Sequence, residues 1–306
     1  MGMAHDHGHR AAGRAGARHA HRLLLVLVMT TALVVVQGAA AIAFDSLALL
    51  SDTGHVLTDA LGIGMALAAV RVADRRGRGR DPQHTFGWYR LEILAALVNA
   101  VLLVGVAVYV LVEAVQRIDD PPRIDAGWVL AAATVGLIVN LAAYLALRPG
   151  ADESINVRGA QLEVLADLIG SIAVVVAAAL VAITDVREID AVAGAVIALF
   201  ILPRAVALGR SAARVLLQSA PPHIDVDAVR ADLARLPGVV DVHDLHVWTL
   251  TSDMDVLSAH LVVTSATDLH GVLDDARALL RSEHAIAHAT LQVEPDDHAG
   301  CAEVDW

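Results

Sequence analysis

Two pairs of side chains able to bind a metal stand four residues apart inside apolar stretches: His55 with Asp59, and Glu163 with Asp167. An α-helix turns residues i and i+4 onto one face, so each pair presents its donors to one side. Together they offer one imidazole nitrogen and three carboxylate groups, a four-donor set that suits a borderline divalent ion such as Zn²⁺ in tetrahedral geometry. An ionised group at the centre of a membrane helix costs roughly 3 kcal/mol on insertion scales, and two such pairs in separate helices are hard to ascribe to chance. The spacing points to a metal ion held, and moved, inside a membrane. It requires only that the two helices touch. Taken singly, Asp52, Asn99 and Asn140 read as polar contacts between helices or groups lining water.

The elements that must position these donors are membrane-length helices. Of 306 residues, 57% are hydrophobic, and the mean hydropathy is +0.60. Continuous apolar runs of the ~20 residues that cross a bilayer predict spans at 23–44, 47–73, 91–116, 125–147, 159–183 and 188–208. The first run is too long for the apolar core of a signal sequence and is followed by further spans, so it reads as a retained helix.

Six spans put both termini on one side. Arg10, Arg14, Arg18 and Arg22 precede the first span, and six arginines from Arg71 to Arg90 fill the loop between the second and third. Arg148 and Arg158 bracket the next loop on that side, and Arg204, Arg210 and Arg214 are counted as following the sixth span. The opposite loops hold Arg117, Arg123 and Arg187. Under the positive-inside rule both termini are expected in the cytoplasm, and the protein in the cell's inner membrane.

Beyond Pro221 the pattern becomes that of a small soluble domain. A helical repeat over 225–236 ends at Pro237-Gly238, and strands are predicted at 239–250, 256–263 and 289–293, with a helix at 268–281 before the last. This α-β-β-α-β order predicts a ferredoxin-like α+β sheet with helices on one face. The domain boundaries expected are a His-rich disordered tail at 1–21, a six-helix transmembrane domain at 22–210, the ferredoxin-like domain at 211–296 and a C-terminal tail at 297–306.

Charge and cysteine content narrow the function. The formal net charge of −12 argues against nucleic acid as a partner and is compatible with cations. Cys301 is the single cysteine, so no intramolecular disulfide framework exists.

Several stretches resemble the cation diffusion facilitator family, most closely its bacterial zinc, cobalt and cadmium branch: SDTGHVLTDA at 51–60, HTFG at 84–87, RLEILAA at 90–96, NVRGA at 156–160 and VHDLHVW at 242–248. The resemblance runs from the first span to Pro295. It implies a homodimer in the lipid bilayer that exports divalent metal, Zn²⁺ foremost, in exchange for protons, with no cofactor and no enzymatic activity. The family's zinc-transporting members carry His-x-x-x-Asp in both span two and span five. His55 and Asp59 match the first half, and Asp167 matches in the second, but Glu163 stands where the family usually has His. A carboxylate there makes the donor set harder and more anionic, which relaxes the expected preference for Zn²⁺ and admits harder ions such as Mn²⁺ or Fe²⁺; a broader or different specificity among Cd, Co, Mn and Fe is the alternative. Metal and protons compete for the same donors, so protonation on one side favours release and deprotonation on the other favours capture.

The resemblance also implies metal positions at His243, His260 and Glu294 in the soluble domain, near a dimer interface. His246 reads instead as a structural residue on the face of Trp248. Asp81 and His84 match a loop where some members hold an accessory metal, although a later His of that motif is Trp88 here. The tract His5, His7 and His9, with His19 and His21, resembles the flexible chelating segments of family members. A membrane metal sensor that does not transport is the rival reading, and ionisable pairs within two spans count against it. An intramembrane metalloprotease would require a His-Glu-x-x-His helix, which the sequence lacks.

Overall fold

A computed structural model describes residues 7–58, 60, 84–151, 155–251, 254–265 and 267–297. The helices are α1 (His7–Ala43), α2 (47–58 as described), α3 (Arg90–Asp119), α4 (Ala126–Ala151), α5 (Ile155–Thr184) and α6 (Glu188–Leu216), followed by α7 (Val226–Ala234) and α8 (Leu269–Glu283). The strands are β1 (Val239–Thr251), β2 (Met254–Val263) and β3 (His288–Pro295).

Among the described residues five helices are long and apolar enough to cross a membrane, lying within α1, α3, α4, α5 and α6. The expected second span, 47–73, continues past α2 outside the described residues. Large apolar side chains such as Ile42, Ile183 and Phe200 point outward at more than 70% exposure. Only a hydrocarbon surrounding makes such faces inexpensive.

Two helix ends differ from the sequence reading. Instead of an unstructured tail at 1–21, α1 reaches back to His7. Ala11, Ala12, Ala15, Ala17 and Ala20 are strong helix formers, and elongation from an already nucleated span costs little. The sixth helix runs to Leu216 rather than 208, which brings Arg210 and Arg214 inside it, while Arg204, counted above with the loop arginines, already falls within the predicted 188–208. Of the expected tail at 297–306, residues 298–306 lie outside the described residues.

The chain divides into two units, Met1–Met65 with Val98–Leu208, and Ala66–Leu97 with Gly209–Trp306. In the first, α4 packs along α5 and α1 packs against α4. Its core is built largely of small and branched side chains, including Ala48, Leu49, Leu103, Ala133, Val174, Ile197 and Ala205. Small residues let helix backbones approach closely where lipid supplies no hydrophobic drive between helices.

The second unit holds a three-stranded sheet ordered β1-β2-β3, with β1 antiparallel and β3 parallel to the central β2. The parallel pair needs a crossover, which α8 supplies. Leu233, Leu257, Leu261, Leu280 and Ile286 are fully buried between sheet and helices, each contributing about 1.5–3 kcal/mol of burial. Asp225 and Asp268 cap α7 and α8 by accepting hydrogen bonds from backbone amides of the first turn. The predicted α-β-β-α-β order is the one observed.

Candidate functional site

His55 on α2 is positioned by the way neighbouring helices grip that helix. At its start, the Ser46 hydroxyl donates to Asp190 Oδ1 of α6 at 2.5 Å, and the Leu47 amide donates to Asp190 Oδ2 at 2.6 Å. The amide of Leu49 donates to Ser46 Oγ at 3.2 Å. Orphan amides at a helix start favour a negative charge, so one carboxylate from α6 closes α2. Just before it, Arg117 of α3 donates to the Asp45 carboxylate and backbone oxygen, each at 2.7 Å.

Farther along, glycines admit close contact. A methyl group at Gly54 would meet Val106 of α3 at 2.6 Å, and one at Gly170 of α5 would meet Asp52 Oδ1 at 2.7 Å. Asp52 is buried and receives a hydrogen bond from Ser171, which in turn accepts one from Asn140 Nδ2 at 2.9 Å. This buried chain joins α2, α5 and α4, and Asp52 and Asn140 take the interhelical role expected of them.

His55 and Asp167 meet across α2 and α5, with Nε2 at 3.5 Å from Oδ1 and both side chains nearly buried. Glu163 lies one turn from Asp167 on α5, and its Oε1 accepts from Arg204 Nη2 at 3.0 Å. Asp59 lies outside the described residues. A cavity of about 200 Å³ is lined by Asp52 and His55 on α2, by Ala166, Ile169, Gly170 and Ala173 on α5, and by Val196, Ile197, Phe200, Ile201 and Arg204 on α6. The sequence reading missed Arg204 as part of this site by counting it among loop arginines. The signal was present: an arginine within reach of apolar 188–203, in a chain whose fifth span carries an extra acid.

In the second unit, His243, His260 and Glu294 bring one donor atom each within 4.8 Å of one another. His243 pairs directly with His260 across β1 and β2, and His260 Nδ1 lies 3.2 Å from Glu294 Oε1 of β3. His243 Nδ1 is 2.9 Å from Asp241 Oδ2, and its Nε2 is buried with no hydrogen-bond partner among the described residues. A carboxylate on one ring nitrogen with the other left for an ion is the arrangement of metal-bound histidines. Gln292 donates to Glu294 Oε1 at 2.6 Å and was not singled out from sequence. The predicted alternation along β1 breaks at a bulge between His243 and His246, where Asp244 has φ of +46°. That extra residue moves His246 out of the pairing that joins His243 to His260.

His84 stacks on Trp88 with ring centroids 3.8 Å apart, while Asp81 lies outside the described residues, as does His5. His7 and His9 belong to the first turn of α1.

Residues 23–217 match the family of the cation efflux transmembrane domain, and residues 221–296 match the cytoplasmic domain of cation efflux proteins. The metal cation efflux system protein CzcD of Cupriavidus metallidurans is 37% identical over 99% of this chain and 94% of its own length. The zinc transporter ZitB of Escherichia coli is 34% identical over 97% of this chain and 96% of its own. A cadmium, cobalt and zinc/H(+)-K(+) antiporter of Bacillus velezensis is 32% identical over 97% and 93% respectively. With apolar membrane-length helices joined to a small mixed sheet, and matches along almost its whole length, the chain belongs to the cation diffusion facilitator family.

Proposed function

We propose that the protein is a divalent metal efflux transporter of the inner membrane, with Zn²⁺ as its main substrate and protons as the counter-ion. The observation that carries this reading is the approach of His55 to Asp167, which joins two membrane helices through metal-capable side chains. His55, Asp59, Glu163 and Asp167 form the central transport site in this reading. The names of the similar proteins, which cite metal cation efflux, zinc transport and proton antiport, support it.

Coupling follows from competition. An ion binds deprotonated donors, and protons entering from the acidic side displace it. Helices α2 and α5 carry opposite halves of the site, so rocking one against the other would open the donors to either face. The arginine count supports cytoplasmic termini. His243, His260 and Glu294 form a second, cytoplasmic metal site, with Asp241 orienting His243, in a domain that pairs two copies of the chain. The histidines of 1–21 raise local metal concentration, and Asp81 with His84 offers at most an accessory contact, since one ring face of His84 is taken by Trp88.

The test is Zn²⁺ uptake by proteoliposomes under an imposed pH gradient. His55→Ala and Asp167→Ala are expected to abolish uptake, whereas residues 1–21 are dispensable for it. Normal transport by either variant would remove the central-site assignment, and a rate indifferent to the gradient would remove proton coupling.

A further inference from the structure

We propose that Arg204 is a tethered counter-cation of the central site: it holds Glu163 in the metal-free state, yields it to the arriving ion, and restrains the acidic donor set from accepting harder ions. The inference deepens the central-site reading and rests on it.

Three observations converge on Arg204. Its Nη2 lies 3.0 Å from Glu163 Oε1, tying α6 to α5. It lines the same cavity as His55, so its side chain borders the space beside that imidazole while its guanidinium end reaches Glu163. It also sits within a membrane-length helix, Glu188–Leu216, where a charged side chain needs a partner or a task. Pro203 immediately before it deprives α6 of one backbone donor, the condition under which helices kink.

The chemistry explains why a carboxylate at 163 calls for a cation. A site with three carboxylates attracts divalent ions through charge alone, and charge does not distinguish Zn²⁺ from harder ions such as Mn²⁺. The guanidinium offsets one of those charges, leaving the field of a two-carboxylate site. Selectivity then returns to the imidazole nitrogen of His55, which favours borderline metals. Guanidinium is always protonated and matches the carboxylate fork, so it competes for Glu163 at every pH. Because it is tethered, it returns when the ion leaves, which speeds release.

The full-length protein in proteoliposomes, with Zn²⁺ or Mn²⁺ as the sole metal, tests this. In Arg204→Gln the KM for Zn²⁺ is expected to fall at least tenfold and kcat to fall with it, while the ratio of kcat/KM for Mn²⁺ to that for Zn²⁺ rises several-fold. In the Glu163→Gln background the same substitution should shift KM by less than twofold, since the partner is gone. Arg204→Lys, which keeps the charge and loses the fork, should fall between wild type and Arg204→Gln and serves if the glutamine variant does not fold. Equal effects of Arg204→Gln in both backgrounds, or an unchanged metal ratio, would overturn the proposal. Loss of the central-site reading has a separate signature, namely normal transport by His55→Ala.

Discussion

Asp190 on α6 accepts a 2.5 Å hydrogen bond from the hydroxyl of Ser46, the residue from which α2 departs. Its second oxygen takes the Leu47 amide at 2.6 Å and the Ala48 amide at 3.4 Å. The helix that carries His55 is therefore anchored at its first turn by a side chain more than 130 positions away in the chain.

Asp190→Ala should lower stability by about 2–3 kcal/mol, because bonds to a charged acceptor are lost together. Thermal unfolding in detergent measures this. Asp190→Asn keeps an oxygen for the amides and should lose less. A Tm for Asp190→Ala equal to that of the wild type would mean that α2 holds its place without the cap.

Gly170→Ala tests the contact of α2 with α5. The added methyl meets Asp52 Oδ1 at 2.7 Å, a separation that forces the helices apart or swings the carboxylate away from Ser171. Small shifts at the donors suffice to weaken a metal site, so Zn²⁺ transport should drop at least tenfold while the folding of the second unit is unchanged. Unchanged transport would show that the His55 and Asp167 pairing tolerates that movement.

Asp241→Ala tests the second metal site proposed at His243, His260 and Glu294 through its outer contact. Removing the partner of His243 Nδ1 should weaken metal binding there by roughly 10–100-fold, less than His243→Ala, which removes a donor. Titration of the full-length protein with Zn²⁺ distinguishes the two. Equal losses would indicate that Asp241 itself binds the ion.

Leu257→Ala addresses the sheet. Leu257 is fully buried on the central strand, and truncation should cost about 2–5 kcal/mol. Denaturant unfolding followed by Trp248 fluorescence reports it, and a cost below 1 kcal/mol would mean that the core closes over the vacancy.

Hydrophobic run length was enough to foresee the spanning helices, since bilayer thickness dictates it, and period-two and period-3.6 patterns foretold the order of α7 to β3. The i,i+4 spacing of Glu163 and Asp167 likewise put both on one helical face before any contact was known. These are local properties, written in neighbouring residues.

What neighbouring residues do not encode is which helix faces which. The approach of His55 to Asp167, the capture of Glu163 by Arg204 and the capping of α2 by Asp190 each join positions more than 40 apart, and α2 is seated against Gly170 and Gly194, whose purpose appears only against the opposing residue. The bulge that separates His246 from His243 is of the same kind: strand periodicity predicts alternation, and only the pairing of β1 with β2 reveals where it slips. Sequence determined the donors and the helices that carry them. Tertiary structure alone decided that Arg204 reaches Glu163, because an ion pair is formed by distance in space and not by spacing along the chain.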